Sequence, residues 1–183
     1  AGTDSLTEIE MSEGRNKERF ELLSLMKNKL SHLRDKYDYI LIDTPPNLSA
    51  MTGNAFVMAD YVLIPHQPEL YSLRSLGKVI DEVLDCKEML NPNLEFLGVL
   101  VTLLDGRTTI HSTIVQESNK LIDNYGIKLF DTIIPRTIEF QNAITKHRVP
   151  LTLTKRNYEY KHIYFDLWKE IEERTAKSEG VGI

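Results

Sequence analysis

The feature that most constrains this chain is an alternation of short apolar runs with longer amphipathic stretches. Tyr39–Ile42, Tyr61–Ile64, Phe96–Thr102 and Leu129–Ile134 are runs of strand length with little polar alternation. Such runs suit strands buried on both faces of a parallel sheet. Between and around them lie helical patterns. In 19–36 the apolar residues Leu22, Leu23, Met26, Leu30 and Leu33 recur at helical spacing. Further helices are expected over 49–58, 72–89, 109–124, 137–147 and 158–175. Strand–helix alternation of this kind implies right-handed βαβ crossovers. The expected fold is α/β, with a mostly parallel sheet. No internal repeat or domain boundary interrupts it. Residues 1–18 read as a polar lead-in and 176–183 as a frayed tail.

In open α/β sheets, ligands sit beyond the carboxyl ends of the strands. Three of the four expected strands end directly in distinctive residues: Asp43-Thr44-Pro45-Pro46, Pro65, and Pro135-Arg136. The other ends at Thr102, shortly before Asp105. All four sets are expected on one edge. An aspartate closing a buried strand needs a cation or several donors, because an unpaired buried carboxylate is costly. In nucleotide triphosphatases that position fixes Mg²⁺. The alternative is a carboxylate that caps the next helix. The two prolines weigh against capping, because they impose a rigid, non-helical exit.

The segment Tyr37-Asp38-Tyr39-Ile40-Leu41-Ile42-Asp43-Thr44-Pro45-Pro46 resembles the Walker B region of ParA/Soj-type partition ATPases, the deviant-Walker relatives of MinD. The likeness continues in order through Asn54-Ala55, Ala59 to Pro65, Gln67-Pro68-Glu69 and Ser72-Leu73. Gly98-Val99-Leu100, Thr102, Asp105, Arg107-Thr108, Ile134-Pro135-Arg136, Ala143 and Pro150 extend it, so it covers roughly 20–173. The resemblance implies a three-layer, mostly parallel sheet of the P-loop NTPase type, incomplete at the N-terminus, and an ATP-dependent homodimer that segregates plasmid or chromosomal DNA. It binds DNA without sequence preference and is stimulated by a ParB-like centromere-binding protein. It also implies that Asp43 holds Mg²⁺ through water and that Pro45 and Pro46 shape a switch loop. Thr102, Pro135 and Arg136 would lie near the adenine of ATP. For Thr102 a satisfied strand-end hydroxyl, and for Pro135 simple strand termination, are the competing readings.

The departures from the family pattern are equally specific. No GxxxxGK[ST] occurs, nor the family's deviant form; the single Gly-Lys pair, Gly77-Lys78, falls inside an expected helix. The acidic motif that positions the attacking water is missing too. In the family both lie upstream, so the chain reads as the C-terminal portion of a single ParA-like domain, expected not to hydrolyse ATP by itself. The alternative is a non-catalytic interaction module of the same fold that binds a partner protein or DNA without ATP. A deviant Walker A in the coding sequence upstream of Ala1 would decide for the enzyme.

The net charge of −5 argues against a generally polyanion-binding surface. Residues 136–162 nevertheless hold six basic side chains and two acidic ones. Lys146, Arg148, Lys155 and Arg156 are the candidates for DNA phosphate contact. Glu139 occupies a position where relatives carry an arginine, so Glu139→Arg is expected to tighten DNA binding. The last helix is too acidic on its polar face for a lipid anchor, and no run approaches membrane-spanning length. A single cysteine, Cys86, at a helical position on a polar stretch, favours a reducing compartment, and its solitude offers no iron–sulfur site. The expected location is cytoplasmic and nucleoid-associated. His66 reads as a surface loop residue.

Overall fold

A computed structural model describes residues 21–45, 49–69, 71–105 and 109–179. In chain order the elements are α1 (Leu25–Leu30), a 3₁₀ turn (Ser31–Leu33), α2 (Ala50–Met58), β1 (Tyr61–His66), α3 (Ser72–Met89) and β2 (Glu95–Leu104). Then come α4 (Thr109–Asp123), β3 (Ile134–Pro135), α5 (Glu139–Asn142), a π-helical turn (Ala143–His147), a second 3₁₀ turn (Leu151–Leu153) and α6 (Ile163–Glu179). The three strands form one sheet in the order β1-β2-β3, and β2 and β3 run parallel. The expected α/β class therefore holds. The chain divides into two compact units, Ala1–Val62 with Val79–Glu95, and Leu63–Lys78 with Phe96–Ile183.

In the first unit, α2 is buried over Ala55–Met58. Asn54 fastens the preceding helical segment to it. The Asn54 carbonyl oxygen accepts the Met26 N–H at 3.0 Å, and its amide donates to Leu22 O at 2.9 Å. Carbonyls near the end of α2, which have no partner within the helix, are taken by side chains. The Arg34 guanidinium donates to Met58 O at 2.6 Å, and the Asn91 amide donates to Phe56 O and Ala59 O at 2.8 Å.

Two expectations fail in this unit. Tyr39–Ile42 is not a strand, and Leu41 is 83% exposed. An apolar run becomes a strand only when a neighbour shares its ladder, and no described strand pairs with this one. Cys86, expected on a polar helical stretch, is buried. Burial first, and the Glu82 carboxylate second, push its thiol up, so it is inert.

In the second unit the core is Leu100, Phe130, Ile134 and Leu167, flanked by Leu63, Leu97, Phe140, Ile163 and Ile171. β1 passes through Pro65 without stopping, and Pro65 is exposed. β1 is an edge strand of the described sheet, where a missing N–H forfeits no inner ladder bond. The strand expected over 129–134 is reduced to a bridge, Val99 to Leu129, and to the two residues of β3. The reason lies in α6. Its Glu170 carboxylate accepts the Asp131 and Thr132 N–H groups at 2.8 and 3.0 Å, so those donors are withdrawn from a ladder.

Arg174, one turn on, donates to Leu97 O at 2.8 Å, Leu129 O at 2.6 Å and Glu170 at 2.8 Å. Its guanidinium carbon lies 3.9 Å from the centre of the Phe130 ring. Gly98 makes room for this: φ there is +145°, and a Cβ would stand 2.5 Å from Arg174 Nη1. Helix α6 thus clasps β2 to the chain leading into β3. It begins at Ile163, later than expected, and runs to Glu179, into the stretch expected to fray.

Candidate functional site

The pairing of β2 with β3 gathers one set of expected residues. Thr102 stands opposite Ile134, and Leu104 opposite Pro135. Two steps along β2 thus face one step along β3, a β-bulge. Its extra residue, Leu103, has φ +53°, a left-handed conformation that costs a non-glycine residue about 1–2 kcal/mol. Bulges of this kind re-aim side chains next to functional sites. The Arg136 N–H donates to Leu104 O at 2.9 Å, and the Asp105 N–H donates to His111 Nδ1 at 3.0 Å. Thr102, Asp105, Pro135 and Arg136 therefore share one end of the sheet, as the strand order requires.

The polar groups at this end are largely engaged. The Thr102 hydroxyl donates to His66 O at 3.5 Å, which favours the strand-end reading of Thr102. The Arg136 guanidinium is exposed and lies 3.9 Å from the Glu69 carboxylate. His66, expected on a surface loop, is instead only 4% exposed. Its Nε2 lies 2.8 Å from Ser118 Oγ. The Ser118 hydroxyl donates to Ile114 O at 2.8 Å. The hydroxyl proton being spent there, His66 must donate from Nε2. Burial lowers the His66 pKa and keeps the ring neutral. Pro65 continuing the strand carries His66 inward, and a sequence scan that stops the strand at proline misses it.

Asp43 and Pro45 belong to the first unit. Asp43 is exposed and follows no strand, and Pro45 is half-buried; Pro46 lies outside the described residues. The expected buried carboxylate is thus not realised, because the run before it pairs with no described strand. Among the described residues no group of three or more His, Cys, Asp or Glu side chains could hold a metal. A single accessible carboxylate fits Mg²⁺ bound chiefly by phosphate oxygens and water.

The four basic candidates, Lys146, Arg148, Lys155 and Arg156, are all exposed. Tyr158 links their two groups: its hydroxyl lies 3.0 Å from His147 Nε2, and the Arg156 guanidinium lies 5.6 Å from its ring centre. Lys161 reaches back to Thr154 O at 2.6 Å. Glu139 is committed to structure. Its two carboxylate oxygens accept the Glu159 and Tyr160 N–H groups at 3.3 and 3.1 Å. Glu139→Arg is therefore expected to cost on the order of 2 kcal/mol. A thermal melt should fall by several degrees; an unchanged melt would mean that these hydrogen bonds contribute nothing.

The profile of the AAA-domain family matches residues 3–96, just over half of the chain. The sporulation initiation inhibitor protein Soj of Bacillus subtilis is 35% identical over 146 residues, which cover 80% of this chain and 56% of that protein. The chromosome-partitioning ATPase Soj of Thermus thermophilus is 39% identical over 112 residues, covering 61% and 44%. The chain belongs to the ParA/Soj family. It spans about half the length of the curated relatives it matches. Among solved structures, the cell division ATPase MinD of Pyrococcus furiosus shares the fold: TM-score 0.62, 24% identity, covering 85% of this chain and 58% of that one. The cobyrinic acid a,c-diamide synthase of Mycobacterium smegmatis with bound ADP and magnesium has a TM-score of 0.56 at 30% identity, covering 69% and 54%. No helix among the described residues is long and apolar enough to cross a membrane.

Proposed function

We propose that this chain is part of a Mg²⁺-dependent, ParA-like ATPase that partitions plasmid or chromosomal DNA. The observation that carries the reading is the gathering of Thr102, Pro135 and Arg136 at one sheet end, in a chain whose relatives are named as chromosome-partitioning ATPases. In this reading Pro135 and the Thr102 backbone border the base, while Arg136 stays available to polar groups of the nucleotide. Asp43 holds Mg²⁺ through water, and Pro45 and Pro46 shape the switch loop. The ion, when bound, neutralises charge on the phosphate oxygens. ATP joins two copies into a homodimer, the dimer binds DNA without sequence preference, and a ParB-like partner stimulates hydrolysis. Such a protein acts in the cytoplasm, on the nucleoid.

The DNA arm is tested with the protein expressed from its complete coding sequence. Binding of a random duplex to the ATP-loaded protein is followed by fluorescence anisotropy across salt concentrations. Phosphate contacts carry no base information, so affinity should not depend on sequence. Its logarithmic salt dependence should become shallower by about two units when Lys155 and Arg156 are both replaced by alanine, at about 0.9 per phosphate neutralised. An unchanged slope removes this pair from the interface, and absence of binding at low salt overturns the DNA reading.

A further inference from the structure

We propose that His111 is a positioning residue for the nucleoside end of the candidate site, acting through the Leu104–Asp105 peptide. The inference rests on the nucleotide reading above and adds a residue to it. The bulge at Leu103 leaves β2 in a left-handed conformation one residue before this peptide. A residue held in such a conformation persists only where its surroundings over-determine it. The ties are on the page. The Leu104 carbonyl accepts the Arg136 N–H at 2.9 Å, and the Asp105 N–H donates to His111 Nδ1 at 3.0 Å. That carbonyl and that N–H belong to one peptide plane. It is pinned at one side by the residue leaving β3 and at the other by a side chain from the first turn of α4.

The chemistry of the tie is specific. To accept a proton at Nδ1, the imidazole must carry its own at Nε2. A histidine here therefore acts as a fixed acceptor, which leucine cannot replace. Asparagine can, because its side-chain oxygen reaches about as far as Nδ1. The pinned plane sets the direction in which the chain leaves β2, beside Thr102 and Pro135. A neutral base and ribose are recognised by a few polar groups whose placement must be held within about 0.5 Å. Loosening that plane should then weaken recognition of the nucleoside and leave recognition of the phosphates alone.

The test uses the protein from its complete coding sequence and two ligands, ATP and inorganic tripolyphosphate, measured by competition against a fluorescent ATP analogue. His111→Leu should weaken ATP about tenfold, the worth of one hydrogen bond, and change tripolyphosphate by less than about twofold. His111→Asn should recover ATP binding. Leu103→Gly is a second route, which frees the backbone one residue before the pinned peptide. It removes a half-buried side chain, so a thermal melt is run beside it to show that it folds, and it should weaken ATP relative to tripolyphosphate. Parallel losses for both ligands, or an unchanged ratio in His111→Leu and Leu103→Gly, would overturn the positioning role. Failure of the unmodified protein to bind ATP at all would overturn the nucleotide reading itself, and the inference with it.

Discussion

Replacing Arg174 by alanine is expected to destabilise the protein by about 3 kcal/mol, the cost of breaking a largely buried pair. A thermal melt should fall by roughly 6–12 °C for a domain of this size. Three acceptors lose their donor at once: Leu97 O, Leu129 O and the Glu170 carboxylate. The side chains of Arg174 and Glu170 are only 20% and 14% exposed, so water replaces those bonds poorly. Arg174→Lys should recover less than half of the loss, because one ammonium cannot match the planar fork across three acceptors. Gly98→Ala should be damaging for the complementary reason, since its Cβ would occupy the space of the guanidinium.

The clasp also has a pH signature. Burial pushes the Glu170 carboxyl up, but the N–H groups of Thr132 and Asp131 and the Arg174 guanidinium outweigh it, leaving its pKa below its ordinary value of 4.5. A depressed carboxylate stabilises the fold fully above its unfolded value, and that stabilisation fades as pH falls through the folded one. The melting-temperature gap between the native protein and Glu170→Gln should therefore be full above about pH 5 and shrink as pH falls through the depressed folded value. A gap that stays constant across this range would show that Glu170 holds its partners without its charge.

Asp43→Ala, in the protein expressed from its complete coding sequence, should lower ATP turnover by roughly 10²–10³-fold, the scale of losing one electrostatic contact to a transition state. Without nucleotide its melting temperature should barely move, because exposed residues away from caps and networks contribute within about 0.5 kcal/mol. Native protein should melt higher with Mg²⁺ and ATP, as any ligand of the folded state makes it do, and the variant should lose that increment. Turnover that survives the substitution would remove Asp43 from the candidate site. A large fall in melting temperature without nucleotide would mean that Asp43 is a structural acceptor.

What the sequence determined by itself was the class and the order. The helix over 72–89 and β2 follow from apolar spacing almost residue for residue, because periodicity reports which faces must leave water and does not depend on distant partners. The ordered motifs from Tyr37 to Pro150 carried the family for the same reason: each is local. Tertiary structure decided wherever a hydrogen bond needed a partner far along the chain. Tyr39–Ile42 has strand composition but pairs with no strand among the described residues. Asp131 and Thr132 lie in a strand-like run, yet they give their N–H groups to Glu170, 39 and 38 residues away. Pro65 ends strands in the interior of a sheet but not at an edge, and that position carried His66 into the core. Glu139 reads as an anion facing DNA and is an acceptor for the backbone of Glu159 and Tyr160. Arg174 reaches Leu97 and Leu129 across 77 and 45 residues of sequence, which no local pattern announces. Local pattern fixes which groups must be buried or bonded; only the folded chain assigns the long-range partners that satisfy them.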